Sequence, residues 1–138
     1  MRVSIILLVY NFILPFIFLV AIPGYVLKII RRGNYGDAFG ERFGVYSKKK
    51  KQILRSLDRP LWIHAVSVGE VNVAKKLIIA IRRTRPDISI VLSTTTPTGA
   101  SIARNSEASV VIYHPLDFIF ISTRVFDLIS PRALILTE

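Results

Sequence analysis

Residues 61–70, LWIHAVSVGE, decide how this chain folds. Trp62, Ile63, Ala65, Val66 and Val68 form a short β-branched and aromatic run between Pro60 and Gly69, the pattern of a buried strand. The period then changes. Val71, Ala74, Leu77, Ile78 and Ile81 recur at three- and four-residue spacing, with Lys75, Lys76, Arg82 and Arg83 on the other face or in the last turn, which predicts a helix over 70–84. Glu70 therefore stands where a strand ends and a helix begins, a position at which the helix macrodipole favours negative charge. An ionised carboxylate there can accept a proton from a substrate hydroxyl. It can equally do no more than complement the dipole, and the local pattern leaves both readings open.

Outward from this stretch, strand-like runs at 61–67, 88–94, 109–113 and 132–137 alternate with helix-like stretches at 70–84, 98–105 and 118–129. The alternation predicts an α/β fold, a parallel sheet with helices on both faces and right-handed crossovers. Such sheets bind ligands at the carboxyl ends of their strands. Gly69 and Glu70, the loop TTTPTG at 94–99, and Glu138 all fall at those ends, so three separated segments are expected to converge on one crevice. No internal repeat or low-complexity tract interrupts the pattern.

In the second of these segments Thr96 is placed to cap a helix that has Pro97 at its first position. Its hydroxyls and free N–H groups suit a phosphate or sugar hydroxyls as well as capping. The loop lacks the Gly-Lys-Ser/Thr ending of a P-loop, and no G-x-G-x-x-G dinucleotide fingerprint is present. His64, between bulky apolar neighbours, reads as a packed or hydrogen-bonded core residue, with substrate contact as the alternative. With two isolated histidines, His64 and His114, and no cysteine, no metal site is expected. Asp117 is expected to cap a helix from Phe118, whose stripe Phe118, Ile121, Val125 and Leu128 reads as core.

Residues 3–27 carry no charged side chain and exceed the roughly 20 residues needed to cross the hydrocarbon core. They are too long, and lack the small-residue close, for a cleavable signal peptide. Arg2 precedes the stretch while Lys28, Arg31 and Arg32 follow it, so the remainder is expected on the cytoplasmic side of the membrane. More than half of the 19 Lys and Arg residues fall between Lys28 and Arg59, against Asp37, Glu41 and Asp58. The cluster Lys48–Lys51 suits an anionic membrane surface. Nucleic acid is not the expected partner, because the basic run lacks interleaved aromatics and no recognised module follows it. The expected organisation is a transmembrane anchor at 1–30, a basic juxtamembrane linker at 31–59 and a Rossmann-like domain at 60–138.

In order along the chain, the hydrophobic start, Glu41-Arg42-Phe43-Gly44, WIHAVSVGE at 62–70, TTTPTG at 94–99, YHPLD at 113–117 and a last strand ending at Glu138 resemble the N-terminal half of the Kdo transferases. These are membrane-anchored glycosyltransferases that transfer 3-deoxy-D-manno-octulosonic acid to the lipid A precursor. Glu138 resembles the first acid of the family's E-x-E-L-W-P-N motif. The resemblance implies a GT-B-type enzyme of the bacterial inner membrane, whose N-terminal domain holds the lipid A precursor and whose C-terminal domain holds CMP-Kdo; no cofactor is expected. It also implies Glu70 as general base in an inverting transfer, with Ser67, Thr96, Thr98 and Gly99 lining the acceptor pocket, Gly69 admitting close approach of the sugar, and Glu138 orienting Glu70 or the acceptor. Arg42 would pair with an acceptor phosphate, or else dock the linker on the domain.

The chain stops where the donor-binding half is expected, so it reads as truncated and inactive alone, since holding both reactants together lowers a barrier by roughly 7–11 kcal/mol. The alternative from another class is a non-enzymatic, membrane-tethered α/β module that binds a nucleotide or a partner.

Overall fold

The structure is a computed structural model that describes residues 9, 10, 12–14, 16, 17, 19, 20, 24 and 36–137. The strands form where β-branched and aliphatic residues cluster, and three of the helices open at a hydroxyl side chain that caps them, Ser47, Ser67 and Thr96. The elements are α1 (Gly36–Arg42), α2 (Lys48–Ser56), β1 (Leu61–Ala65), α3 (Val68–Thr84), β2 (Ile90–Thr94), α4 (Pro97–Ala103), β3 (Val110–Tyr113), α5 (Ile119–Ile129) and β4 (Ala133–Thr137). All four strands are parallel in the order β3-β2-β1-β4. The alternation read from the sequence is thus the alternation of the fold. The sheet grows outward from β1 to β3 and then returns to the other side of β1. That reversal is a topological switch point, the place at the carboxyl ends of the strands where sheets of this kind take their ligands.

Two apolar layers hold the sheet. On one face Ile63, Ala65, Ile90 and Leu92 pack against Val71, Ala74 and Ile78 of α3 and Ala103 of α4. On the other face Trp62 is fully buried with its ring centroid 4.9 Å from that of Phe126, while α5 contributes Ile121, Val125 and Ile129 and α2 contributes Leu54. Leu128 is half-buried at the margin of this layer. β4 pairs only with β1, and Leu136 on it is 59% exposed.

Two helix starts differ from expectation by a residue or two. α3 opens at Val68, because Ser67 accepts a hydrogen bond from the Glu70 N–H and serves as its N-cap. α5 opens at Ile119 with Phe118 at the cap position, so Asp117 stands one residue before the cap.

The segment Glu41-Arg42-Phe43-Gly44 closes α1. The Val45 N–H reaches the Gly40 carbonyl at 2.9 Å and the Gly44 N–H reaches that of Glu41 at 3.0 Å, the paired bonds of a Schellman end. Gly44 takes the left-handed conformation this end requires, with φ 70°. From Gly40 onward the chain forms one compact unit with the sheet, so the latter part of the stretch read as a linker is built into the domain through α2.

Residues 1–39 form a separate unit. The expected span at 3–27 lies mostly outside the described residues. Those described within it are helical, and Phe12, Phe16, Leu19 and Val20 expose their side chains, with Phe12 and Phe16 in ring contact at 5.7 Å. Among the described residues no helix is long and apolar enough to cross a membrane.

Candidate active site

Glu70 is the third residue of α3, at the carboxyl end of β1 and beside the switch point. The sequence Ser67-Val68-Gly69-Glu70 folds as a variant of the capping box. The Ser67 hydroxyl accepts from the Glu70 N–H and donates to Glu70 Oε1 at 2.7 Å, and the Val66 N–H donates to Oε2 at 2.6 Å. These bonds, the Ser67 hydroxyl first and the Val66 amide second, hold the carboxyl below its usual range. The group is ionised at neutral pH. Each oxygen keeps one further lone pair for a ligand, so a capping role and a proton-accepting role are compatible. The same bonds make the carboxylate a weaker base than a free one.

The TTTPTG loop is tied to this turn. Thr95 Oγ1 donates to the Val66 carbonyl at 3.1 Å, so the residue whose amide binds Glu70 is itself held by the next loop. Thr96 caps α4 through the Gly99 N–H at 3.0 Å, with Pro97 in the first turn, as the sequence indicated. Gly99 is buried, and only glycine fits there without a shift, because a β-carbon would lie 2.6 Å from Thr94 Oγ1 and 2.8 Å from Thr96 Oγ1. Gly69 has no such need, since a β-carbon would meet only Ser67 Oγ at 3.8 Å. Thr98 is exposed on the first turn of α4, and Glu138 lies outside the described residues.

Arg42 reaches the same strand ends from α1. Its guanidinium donates to the Thr95 carbonyl and stands 5.4 Å from the centre of the Tyr113 ring. The Leu116 N–H returns to the Arg42 carbonyl at 2.8 Å. These contacts tie the last turn of α1, from Gly40 on, to the strand ends. Its neighbour Glu41, an acid in a basic stretch, is buried. It accepts the Tyr113 N–H at 2.9 Å and pairs with Lys50.

The two histidines are not isolated from each other. His64 on β1 and His114 just beyond β3 stack with ring centroids 3.7 Å apart and planes at 26°. Both rings reach Ser93 of β2, whose hydroxyl accepts the Trp62 Nε1–H at 2.8 Å. His64 Nδ1 lies 2.9 Å from this hydroxyl and 3.2 Å from the Ser93 carbonyl. A carbonyl only accepts, so the hydrogen-bond network assigns the proton of His64 to Nδ1. The Ser93 hydroxyl hydrogen is then left for His114 Nδ1 at 3.3 Å, which places the proton of His114 on Nε2.

Burial lowers the pKa of His64. It takes His114 down to about 4, assisted by the nearby His64 and Arg42. Both rings are neutral at pH 7. The core reading of His64 holds, while the pairing was invisible in sequence because the two residues lie on different strands. Among the described residues no cluster of three or more His, Cys, Asp or Glu side chains is arranged for a metal.

A parallel α/β domain with an ionised carboxylate at its switch point, flanked by two hydroxyl-rich helix starts, belongs to the class of sheet proteins that take ligands at the strand ends. The family model described as 3-deoxy-D-manno-octulosonic-acid transferase (Kdo transferase) matches residues 37–138, and the chain belongs to this family. It is 31% identical over 133 residues to the 3-deoxy-D-manno-octulosonic acid transferase of Chlamydia muridarum, an alignment covering 94% of this chain and 30% of that protein. It is 30% identical over 116 residues to the enzyme of the same name from Haemophilus influenzae, covering 81% of this chain and 26% of that one. The chain thus spans less than a third of the length of these relatives. No solved structure matches it.

Proposed function

We propose that this chain is the acceptor-side part of a Kdo transferase, with Glu70 as the general base. The observation that carries the reading is the placement of Glu70: ionised, at the switch point, and fixed by Ser67 and Val66 with lone pairs to spare. In the proposed reaction the primary hydroxyl of a glucosamine unit on the lipid A precursor gives its proton to the Glu70 carboxylate. The freed oxygen attacks the anomeric carbon of Kdo from the face opposite CMP. The new C–O bond forms as the bond to the phosphate oxygen breaks, so configuration inverts and CMP leaves. Donor binding is assigned to a part of the enzyme beyond this chain, in keeping with the greater length of the relatives.

Ser67 orients the base. Thr96, Thr98 and Gly99 line the acceptor side, and Gly69, which has no steric reason of its own to be glycine, lets a sugar approach the backbone closely. The apolar, exposed side chains at Phe12, Phe16, Leu19 and Val20 support a membrane anchor over residues 3–27, and the flanking charges Lys28, Arg31 and Arg32 support a domain on the cytoplasmic side.

The test is Glu70→Gln in the membrane-bound enzyme that contains this chain. Acceptor binding should persist while transfer from CMP-Kdo falls by at least 100-fold, the usual scale for a lost general base. Unchanged transfer would leave Glu70 as a helix cap only. Failure of even the unaltered protein to bind acceptor would favour a tethered binding module.

A further inference from the structure

Away from the strand ends, α2 and α5 enclose an open cleft of about 390 Å³ that also borders the Gly44–Tyr46 turn. Its polar lining is lopsided. Lys51 and Arg55 stand one turn apart on the same face of α2, and Arg124 faces them from α5, against the single carboxylate of Asp127. None of the three cations is ion-paired: the salt bridges among the described residues are Lys50–Glu41 and Arg85–Asp87. Like charges one turn apart repel, and with the one carboxylate of Asp127 against three cations the cleft keeps a net positive field. Tyr46 forms part of the wall, and its buried hydroxyl has no hydrogen-bond partner.

We infer that this cleft binds a phosphate ester, the two guanidiniums gripping the phosphate oxygens and Lys51 adding a point charge. Guanidinium matches phosphate bidentately, whereas ammonium acts mainly through its charge. The volume is in the range of small-molecule pockets and is larger than a bare ion needs. The ester substituent therefore lies against Val45 and Leu128, and in such a small, cationic space it is a short polyol rather than an acyl chain.

The site is separate from the Glu70 crevice. α5 runs back from the carboxyl ends of the strands toward the start of β4, so Arg124 and Asp127 lie along the flank of the sheet rather than at the ends where Glu70 stands. The inference does not depend on the role given to Glu70. Two sources share this chemistry: the glycerophosphate headgroup of an anionic phospholipid, and a soluble sugar or glycerol phosphate.

The experiment uses the full chain in neutral detergent micelles, with the Nε–Hε resonances of its arginines followed by NMR. One arm titrates glycerol 1-phosphate in solution. The other titrates phosphatidylglycerol into the micelles. Saturable shifts of Arg55 and Arg124 are expected in at least one arm. A response to glycerol 1-phosphate with nothing added by the lipid identifies a soluble ester, and a response confined to the lipid identifies a headgroup. Arg55→Gln and Arg124→Gln should each weaken binding about tenfold, the scale of one charge-assisted contact, while Arg83→Gln on α3 leaves it unchanged. Arg55, Arg124 and Arg83 are all exposed, so these variants keep the fold. Absence of a saturable shift in both arms, or equal weakening by Arg83→Gln, would overturn the inference.

Discussion

Replacing Gly99 with alanine adds one methyl group at the third residue of α4, and the structure says what it would strike. The new carbon would stand 2.6 Å from Thr94 Oγ1, 2.8 Å from Thr96 Oγ1 and 3.5 Å from Val71 Cγ2. Thr94 is fully buried and cannot swing into solvent, and Thr96 can yield only by giving up the Gly99 N–H that it caps. Overpacking of this kind costs about 1–3 kcal/mol, and loss of the cap adds about 1 kcal/mol. Alanine's better helix propensity offsets at most about 1 kcal/mol. The net expectation is a loss of about 2 kcal/mol, which in a unit of this size lowers Tm by roughly 10 °C.

The chain has one tryptophan, Trp62, fully buried in the sheet, so its fluorescence reports unfolding of the domain directly. The internal comparison is Gly69→Ala. There the methyl group meets nothing closer than 3.8 Å, so stability should hold or rise by up to about 1 kcal/mol. Under the proposed function that variant instead raises the KM for acceptor. Equal melting of Gly99→Ala and the parent protein would refute the packing argument.

Ser93→Ala removes the one oxygen shared by Trp62, His64 and His114, and should cost about 2 kcal/mol by leaving the buried indole N–H unpaired, measured by denaturant unfolding. Glu41→Ala strands the Tyr113 N–H and releases Lys50; about 2 kcal/mol is again expected, with faster hydrogen exchange at Tyr113 as its local signature. Acid should weaken the domain in a defined window. The folded state holds His114 neutral down to about pH 4, whereas the unfolded chain takes up its proton near pH 6.5. The unfolded state therefore binds more protons between those values, and stability is complete above pH 6.5 and declines as pH falls toward 4. His114→Gln should flatten that slope, and an unchanged slope would assign it to other groups.

What could be read from sequence was what is local. The Thr96 cap with Pro97 behind it and the helical period after Glu70 depend on residues within one or two turns, and all appear where expected. The side of the sheet on which β4 is added depends on where α5 crosses, which no run of residues encodes. The stacked histidines became neighbours only through the register His64 to Ser93 to Ile112, which sets His114 on the same face two residues on. Glu41 was obscured by its surroundings: one acid among many cations reads as a surface charge, and only the fold reveals that it receives a strand's last amide. For Arg42 the decisive partner is a main-chain carbonyl, which leaves no mark in side-chain composition. Most of residues 1–35, and Glu138, lie outside the described structure, so the length of the anchor and the last acid rest on sequence alone.

The ties among the strand ends set the thermodynamic character of any binding there. Arg42 holds the Thr95 carbonyl, Thr95 holds that of Val66, and Val66 and Ser67 hold Glu70. Loops that would otherwise be ordered by the ligand are already ordered by one another, so the conformational entropy of arranging the crevice is lost during folding and not at each encounter. A ligand meeting such a wall gives up mainly its own freedom. Binding should therefore show a small entropy penalty from the protein, and cutting one tie, as in Thr95→Val, should transfer that penalty to the binding step without removing any group that touches the ligand.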